Sequence, residues 1–233
     1  MPEAGRIEAA LYLVPTPIGN MQDITLRAIE ILKSADIIAC EDTRRTGMLL
    51  KNLGIIPKKL DSYHEHNEQK KAPELASLIS EGISIALVSD AGYPLISDPG
   101  YRLVNAVTES GGKIIPLPGA TAAIPALAAS GMASHSFTFM GFPPQKKGRT
   151  TFLIKCLDKE ETIILYESPY RIERLINEII EYSSPDRKVC LGREISKLHE
   201  EFIRGSAEEC LKVLKGKAGI KGEFVIIIEG NKG

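Results

Sequence analysis

Between positions 87 and 100 the chain reads LVSDAGYPLISDPG, an apolar run that ends in a loop holding Asp90, Gly92, Pro94, Asp98, Pro99 and Gly100. Glycine lets backbone amides approach a ligand closely, and proline stiffens the loop that presents them. Ser97 or Asp98 is placed to cap the helix that follows, with Pro99 in its first turn. A second chemical cluster, Glu41, Asp42, Thr43, Arg44 and Arg45, follows another apolar run. Acids at that place bind ribose in nucleotide folds, and here they come with two arginines suited to phosphate. Next come Tyr63, His64, Glu65, His66 and Asn67; the alternating histidines would share one strand face, and no third ligand completes a metal site. The turn Pro118–Thr121 (PGAT) presents backbone to a ligand. VPTPIGN at 14–20, including Pro17, stands where a dinucleotide fold carries GxGxxG, and its single glycine excludes that fingerprint while leaving a rigid pocket rim.

Further along, GFPPQKKGRT combines an aromatic ring, prolines and cations, among them Lys146, in a pattern suited to a polyanion or a stacked base. Glu167 ends an otherwise apolar run in YESPYR, where Ser168 and Pro169 read as cap and first turn and Arg171 follows. Arg193, Glu194, Lys197, Glu200 and Glu201 follow a further apolar run, and Glu194, Lys197 and Glu201 have helical spacing.

Short apolar runs alternating with 3.6-period stretches position these groups. Strands are expected at 10–14, 36–40, 59–63, 84–89 and 113–117, and helices at 25–34, from the 41–45 cluster through Leu50, and at 72–79, 99–110 and 120–130. That alternation predicts a mostly parallel sheet covered on both faces. After Gly131 the texture changes, with strands at 137–140, 162–166, 188–193 and 223–229 and helices at 150–157, 170–182 and 206–215. The reading is α/β with two domains, 1–131 mostly parallel and 132–233 mixed. The charge balance of 29 basic against 30 acidic residues excludes a whole-surface polycation. Cys40, Cys156, Cys190 and Cys210 form no CxxC cluster and read as reduced core residues. No apolar run reaches membrane-spanning length, and MPEAGRIEAA lacks the pattern of a signal peptide, so a cytoplasmic protein is expected.

The blocks LVPTPIGN (13–20), CEDTRRT (40–46), SYHEHNE (62–68), VSDAGYPLISDPG (88–100), PLPGATAAIPAL (116–127), GFPP (141–144), YESPYR (166–171), REISKLHEEFIRG (193–205) and KGEFVIII (221–228) tile nearly the whole chain. In this order they resemble the tetrapyrrole-methylase superfamily, and more closely its ribosomal branch of cytidine 2'-O-methyltransferases. The resemblance implies an S-adenosylmethionine-dependent enzyme of two α/β domains with the cofactor in the cleft between them. It also implies a homodimer, and a target cytidine in the decoding region of 16S rRNA within the small ribosomal subunit. Carried over by position, it assigns cofactor contacts to Pro17, Ser89, Asp90, Ala91, Gly92, Pro94, Ile96, Pro118, Ala120, Thr121, Met140 and Pro143. Glu41, Asp42, Glu167, Glu194 and Lys197 are the candidates to accept the 2'-hydroxyl proton. Arg44, His64, Lys146, Arg171 and Arg193 are those for the RNA substrate. The alternatives are the same fold acting on a tetrapyrrole or other small acceptor, and a non-catalytic RNA- or nucleotide-binding module.

Overall fold

In the computed structural model, which describes residues 7–231, the chain forms two compact units, one ending at Thr121 and the other beginning at Ala122. Residues 1–6 of the N-terminal stretch read for a signal peptide lie outside the described residues.

The first unit is a parallel sheet in the order β3-β2-β4-β1-β5, with β1 Leu11–Leu13, β2 Ile37–Cys40, β3 Leu60–Ser62, β4 Ile85–Val88 and β5 Ile114–Pro116. Strand periodicity divides its side chains between two cores. Tyr12, Ile38, Cys40, Ala86 and Val88 join α1 (Leu26–Ser34) and α2 (Thr43–Asn52) on one face. Leu11, Leu13, Ile37, Ala39, Ile85 and Leu87 join α3 (Glu68–Ser80) and α4 (Tyr101–Glu109) on the other. Burial on both faces explains why β2 and β4 read as unbroken apolar runs. Pro116 falls at the last position of edge strand β5, where its missing N–H costs no interior hydrogen bond.

The second unit is a mixed sheet in the order β6-β7-β10-β8-β9, in which only the β6–β7 pairing is parallel. Its strands are β6 Phe137–Gly141, β7 Thr162–Glu167, β8 Lys188–Arg193, β9 Glu201–Ser206 and β10 Phe224–Ile228. One face packs on α6 (Arg149–Leu157), α7 (Ile172–Tyr182) and α8 (Ala207–Lys215), the last closed by a capping box between Ser206 and Glu209. The remaining helix, α5 (Ala123–Ser130), lies against β10 and β8. That packing puts the division at 121/122 rather than the expected 131/132. Gly131, left-handed at φ 80°, ends α5 rather than a domain.

Two expected elements are corrected. Glu194, Lys197 and Glu201 do not share a helix: 194–200 is a turn with Glu194 and Ser196 at positive φ, and Glu201 opens β9. His64 and His66 do not lie on a strand; β3 ends at Ser62 and they occupy the turn before α3, their ring centroids 5.9 Å apart. All four cysteines are free and buried, as core residues should be.

Candidate active site

All five strands of the first unit are parallel, so their carboxyl ends open on one edge, the edge where α/β sheets bind ligands. Three loops meet there. The β1 loop and the β4 loop pair through Thr16 and Gly92, whose amides and carbonyls exchange bonds of 2.9 and 3.0 Å. The Thr16 hydroxyl donates to the Ser89 carbonyl at 3.1 Å, and the Ser89 hydroxyl donates to the Gly92 carbonyl at 3.1 Å. The β5 loop closes on the same place: a Cβ on Gly119 would lie 2.7 Å from the Pro15 ring, so only glycine lets this turn approach. Gly92, at φ 89°, sits between Ile18 and the Ala120 carbonyl.

Beyond Gly92 the β4 loop is held in an uncommon conformation, with Leu95 at φ 74° and Ser97 at φ 69°. Such strain persists where surrounding contacts over-determine it, and it clusters at ligand sites. Gly100 at φ 144° is the N-cap of α4 with no side-chain cap, so neither Ser97 nor Asp98 plays the capping part expected of them. A side chain at Gly100 would collide with Leu95 and Leu87.

Beside these loops an open concavity of about 570 Å³ is lined by Glu41, Asp42, Thr43, Arg44, Arg45, Ser62, His64 and Asp90. Asp90 pairs with Arg45 through one oxygen at 3.0 Å, while its other oxygen, Oδ1, is buried with no partner. Nδ1 of His64 is likewise buried and unpartnered. Burial, and then the charge of Asp90, raises the Glu41 carboxyl above the usual range for glutamate. Asp98, half-buried, is pushed up to about 6 by burial and then by Glu41. Two carboxyls with raised affinity for protons, Glu41 and Asp98, near the Arg44 and Arg45 guanidiniums suit proton acceptance from a phosphate-bearing ligand. From sequence Asp98 reads as a cap for the following helix, and Arg45 carries no role of its own. Their loop positions were visible, but their approach to Glu41 and Asp90 depends on the pairing of β2 with β4.

The other candidates separate clearly. Asp42 caps α2, accepting from the Arg44 amide at 2.8 Å and pairing with its guanidinium. Those bonds, the amide first, hold its carboxyl below the usual range, so it takes up a proton less readily than Glu41. Arg44 itself stays exposed. In the second unit Glu167 is 1% exposed and bonded at both oxygens: the Ser168 amide (2.9 Å) and Arg171 (2.8 Å) bond one, and Arg149 (3.3 Å) bonds the other. Its carboxyl is thus engaged in holding neighbouring segments, and Arg171 is one of its partners. Ser168 does not cap α7, whose N-cap is Arg171. Glu194 and Lys197 bond each other at 2.9 Å, and Lys197 also bonds Glu223. Burial disfavours the Glu194 anion most, but the Lys197 hydrogen bond, the Glu223 amide and the charges of Lys197 and Arg193 together outweigh it and keep that carboxyl low. Arg193 is spent on the Lys221 carbonyl and Glu201.

Of the residues expected at the cofactor, Pro17, Ser89, Asp90, Ala91, Gly92, Pro94, Ile96, Pro118, Ala120 and Thr121 all belong to the three loops of the first unit. Met140, half-buried against the core, and Pro143, buried, belong to the second unit at the end of β6; Lys146 is exposed in the loop after them.

Residues 10–211 match the family model described as Tetrapyrrole (Corrin/Porphyrin) Methylases. The chain is 48% identical over 225 residues to the Ribosomal RNA small subunit methyltransferase I of Halalkalibacterium halodurans, covering 96% of this chain and 77% of that protein. It is 46% identical over 218 residues to the protein of the same name from a Hydrogenobaculum species, covering 94% of each. Among solved structures, a uroporphyrin-III-C-methyltransferase from Thermus thermophilus superposes with a TM-score of 0.66 at 21% identity, covering 95% of this chain and 94% of that one, a likeness of fold. By the family match, the extent of these identities and the shared fold, the chain belongs to the tetrapyrrole methylase family.

Proposed function

We propose that this chain is an S-adenosylmethionine-dependent methyltransferase of small-subunit ribosomal RNA, acting on the ribose 2'-hydroxyl of a cytidine in the decoding region of 16S rRNA. The observation that carries the reading is the 48% identity, over 96% of the chain, to a ribosomal RNA small subunit methyltransferase.

The first unit's loops suit the cofactor. Asp90 Oδ1 is a buried acceptor lacking a donor, which a hydroxyl or ammonium group of the cofactor would satisfy. The backbone of Ser89–Gly92 and the Pro118–Thr121 turn would hold its adenosine and methionine ends, with Pro94 and Ile96 beside them. When bound, the cofactor supplies an electrophilic sulfonium methyl group. The chain's own part is alignment and proton removal. Glu41 accepts the 2'-hydroxyl proton, its raised proton affinity making it a better base than an exposed carboxylate. Arg44 and Arg45 hold the flanking phosphates, and the free His64 Nδ1 fixes the ribose or base edge.

Homodimer formation and a cytoplasmic location complete the reading and rest on the resemblance. Among the described residues no helix is long and apolar enough to cross a membrane. Sedimentation equilibrium tests the dimer.

The experiment is transfer of a radiolabelled methyl group from S-adenosylmethionine into small ribosomal subunits lacking native modifications, with naked RNA in parallel. Label in the RNA of either substrate is the expected result. Tight cofactor binding with no label in RNA, but methylation of a uroporphyrinogen-like acceptor, would replace the reading with the tetrapyrrole one.

A further inference from the structure

In the second unit, two loops are fastened to the same buried carboxylate, Glu167. The first, 142–148, carries the exposed Phe142, Lys146 and Lys147; the second, 168–171, carries Tyr170, which is 93% exposed. Arg149 is 2% exposed and donates from Nη1 to Glu167 and to the Pro144 carbonyl, at 3.3 and 3.1 Å. The opposite oxygen of Glu167 takes the Ser168 amide and Arg171. Glu178 holds Arg149 at 2.8 Å and Arg174 at 2.9 Å, and Arg174 reaches on to the Gln145 carbonyl at 3.4 Å. Tyr166 meets the Phe142 ring edge-to-face at 5.5 Å.

The shape of both loops is therefore set from within, and a partner need not pay to order them. Three guanidiniums in the network outnumber its two carboxylates, and Lys146 and Lys147 add to the positive charge; Glu173, exposed in the first turn of α7, offsets part of it. Exposed rings interleaved with cations on a stiff backbone are what single-stranded nucleic acid requires: π faces for bases and ammonium groups for phosphates.

We propose that loops 142–148 and 168–171 form a docking platform for a single-stranded stretch of the RNA substrate, with Phe142 and Tyr170 stacking on bases and Lys146 and Lys147 on phosphates. This deepens the RNA-methyltransferase reading and rests on it for the choice of RNA.

The test is fluorescence anisotropy of the full chain with a labelled single-stranded RNA oligonucleotide and with its duplex, without methyl donor, across a salt series. The single strand binds more tightly than the duplex. The double variant Lys146→Ala/Lys147→Ala weakens binding roughly tenfold and flattens the plot of log affinity against log salt by about 1.4, at ~0.7 per phosphate contact. Phe142→Ala and Tyr170→Ala each weaken binding about fivefold or more with the salt slope unchanged. The control Lys212→Ala/Lys215→Ala, on the exposed face of α8, binds as wild type. Wild-type binding by the loop variants, or equal binding of duplex and single strand, would overturn the platform. Because binding is read without turnover, RNA docking through these loops with no methyl transfer would overturn the enzyme reading alone. Methylation with an unaltered KM for RNA in the lysine variant would overturn the platform alone.

Discussion

Glu41 and Asp98 show how one neighbourhood sets the behaviour of single side chains. Glu41 follows the end of β2 and Asp98 lies in the loop between β4 and α4, and each is raised by burial and by the other acids nearby. For Glu41, the proposed base, this raises the affinity for a proton above that of an exposed glutamate. Glu41→Gln should therefore lower methyl transfer by about 10²-fold or more, while the dissociation constant for S-adenosylmethionine stays within about twofold. Equal loss of cofactor affinity in a calorimetric titration would show that Glu41 holds the cofactor instead. For Asp98 the consequence is stability. Its carboxyl binds a proton up to about pH 6 in the folded chain but only to about 3.8 when unfolded, so the folded state holds more protons between those values and loses stability as pH rises through them. Asp98→Asn should raise the melting temperature at pH 8, with the gain vanishing below about pH 4. A gain that persists at pH 3.5 would mean the charge is not its cause. Glu41 was legible in sequence because an acid at the end of the second strand has a recognised use. Asp98 was not, because a local Ser-Asp-Pro string reads as a helix cap until Gly100 is seen to occupy that position.

Among the elements, the buried strands were the most legible, since β2, β4, β7, β8 and β10 are apolar runs with one possible role each. Those that failed had competing signals. β9 begins in a charge-rich string whose i, i+3 and i+7 spacing mimics a helix, yet positive φ at Glu194 and Ser196 breaks any helix there and turns the chain back against β8. α3 begins at Glu68, earlier than the expected 72, after a turn that the Asn67 side chain braces through the His64 amide and the Ser62 carbonyl. Glu167 ends β7 as an acid in an apolar strand, which reads as chemistry; the cause is Arg149, whose partner requirements no local pattern reveals. Arg149→Met should unfold the second unit's packing by about 3 kcal/mol or more, because it strands Glu167 and Glu178 without their shared cation. Chemical denaturation measures this, and a loss under ~1 kcal/mol would show that Arg171 and Arg174 alone satisfy the two carboxylates.

For the molecule as a whole, the two units have different designs that the sequence signalled through its change of texture. The first is a parallel sheet whose strand-to-helix loops emerge on one edge and carry the candidate chemistry; the second is a mixed sheet whose strand-end acids and arginines are largely consumed in holding itself together. Sequence assigned candidate proton acceptors to both units because strand-end acids look alike in one dimension. Burial and pairing distinguish them, leaving Glu41 in an open concavity and Glu167 and Glu194 tied to cations. The division between the units was harder to see, since Gly131 is a strong punctuation mark and the packing of α5 on β8 and β10 is a long-range contact. The central claim is that this assembly methylates a ribose oxygen of ribosomal RNA. Nucleoside mass spectrometry of small-subunit RNA, after incubation of unmodified subunits with the chain and S-adenosylmethionine, tests it most directly. The account predicts a new 2'-O-methylcytidine, absent when Glu41→Gln replaces the wild-type chain. A methyl group found on a base, or RNA left unchanged while a small-molecule acceptor is methylated, would contradict it.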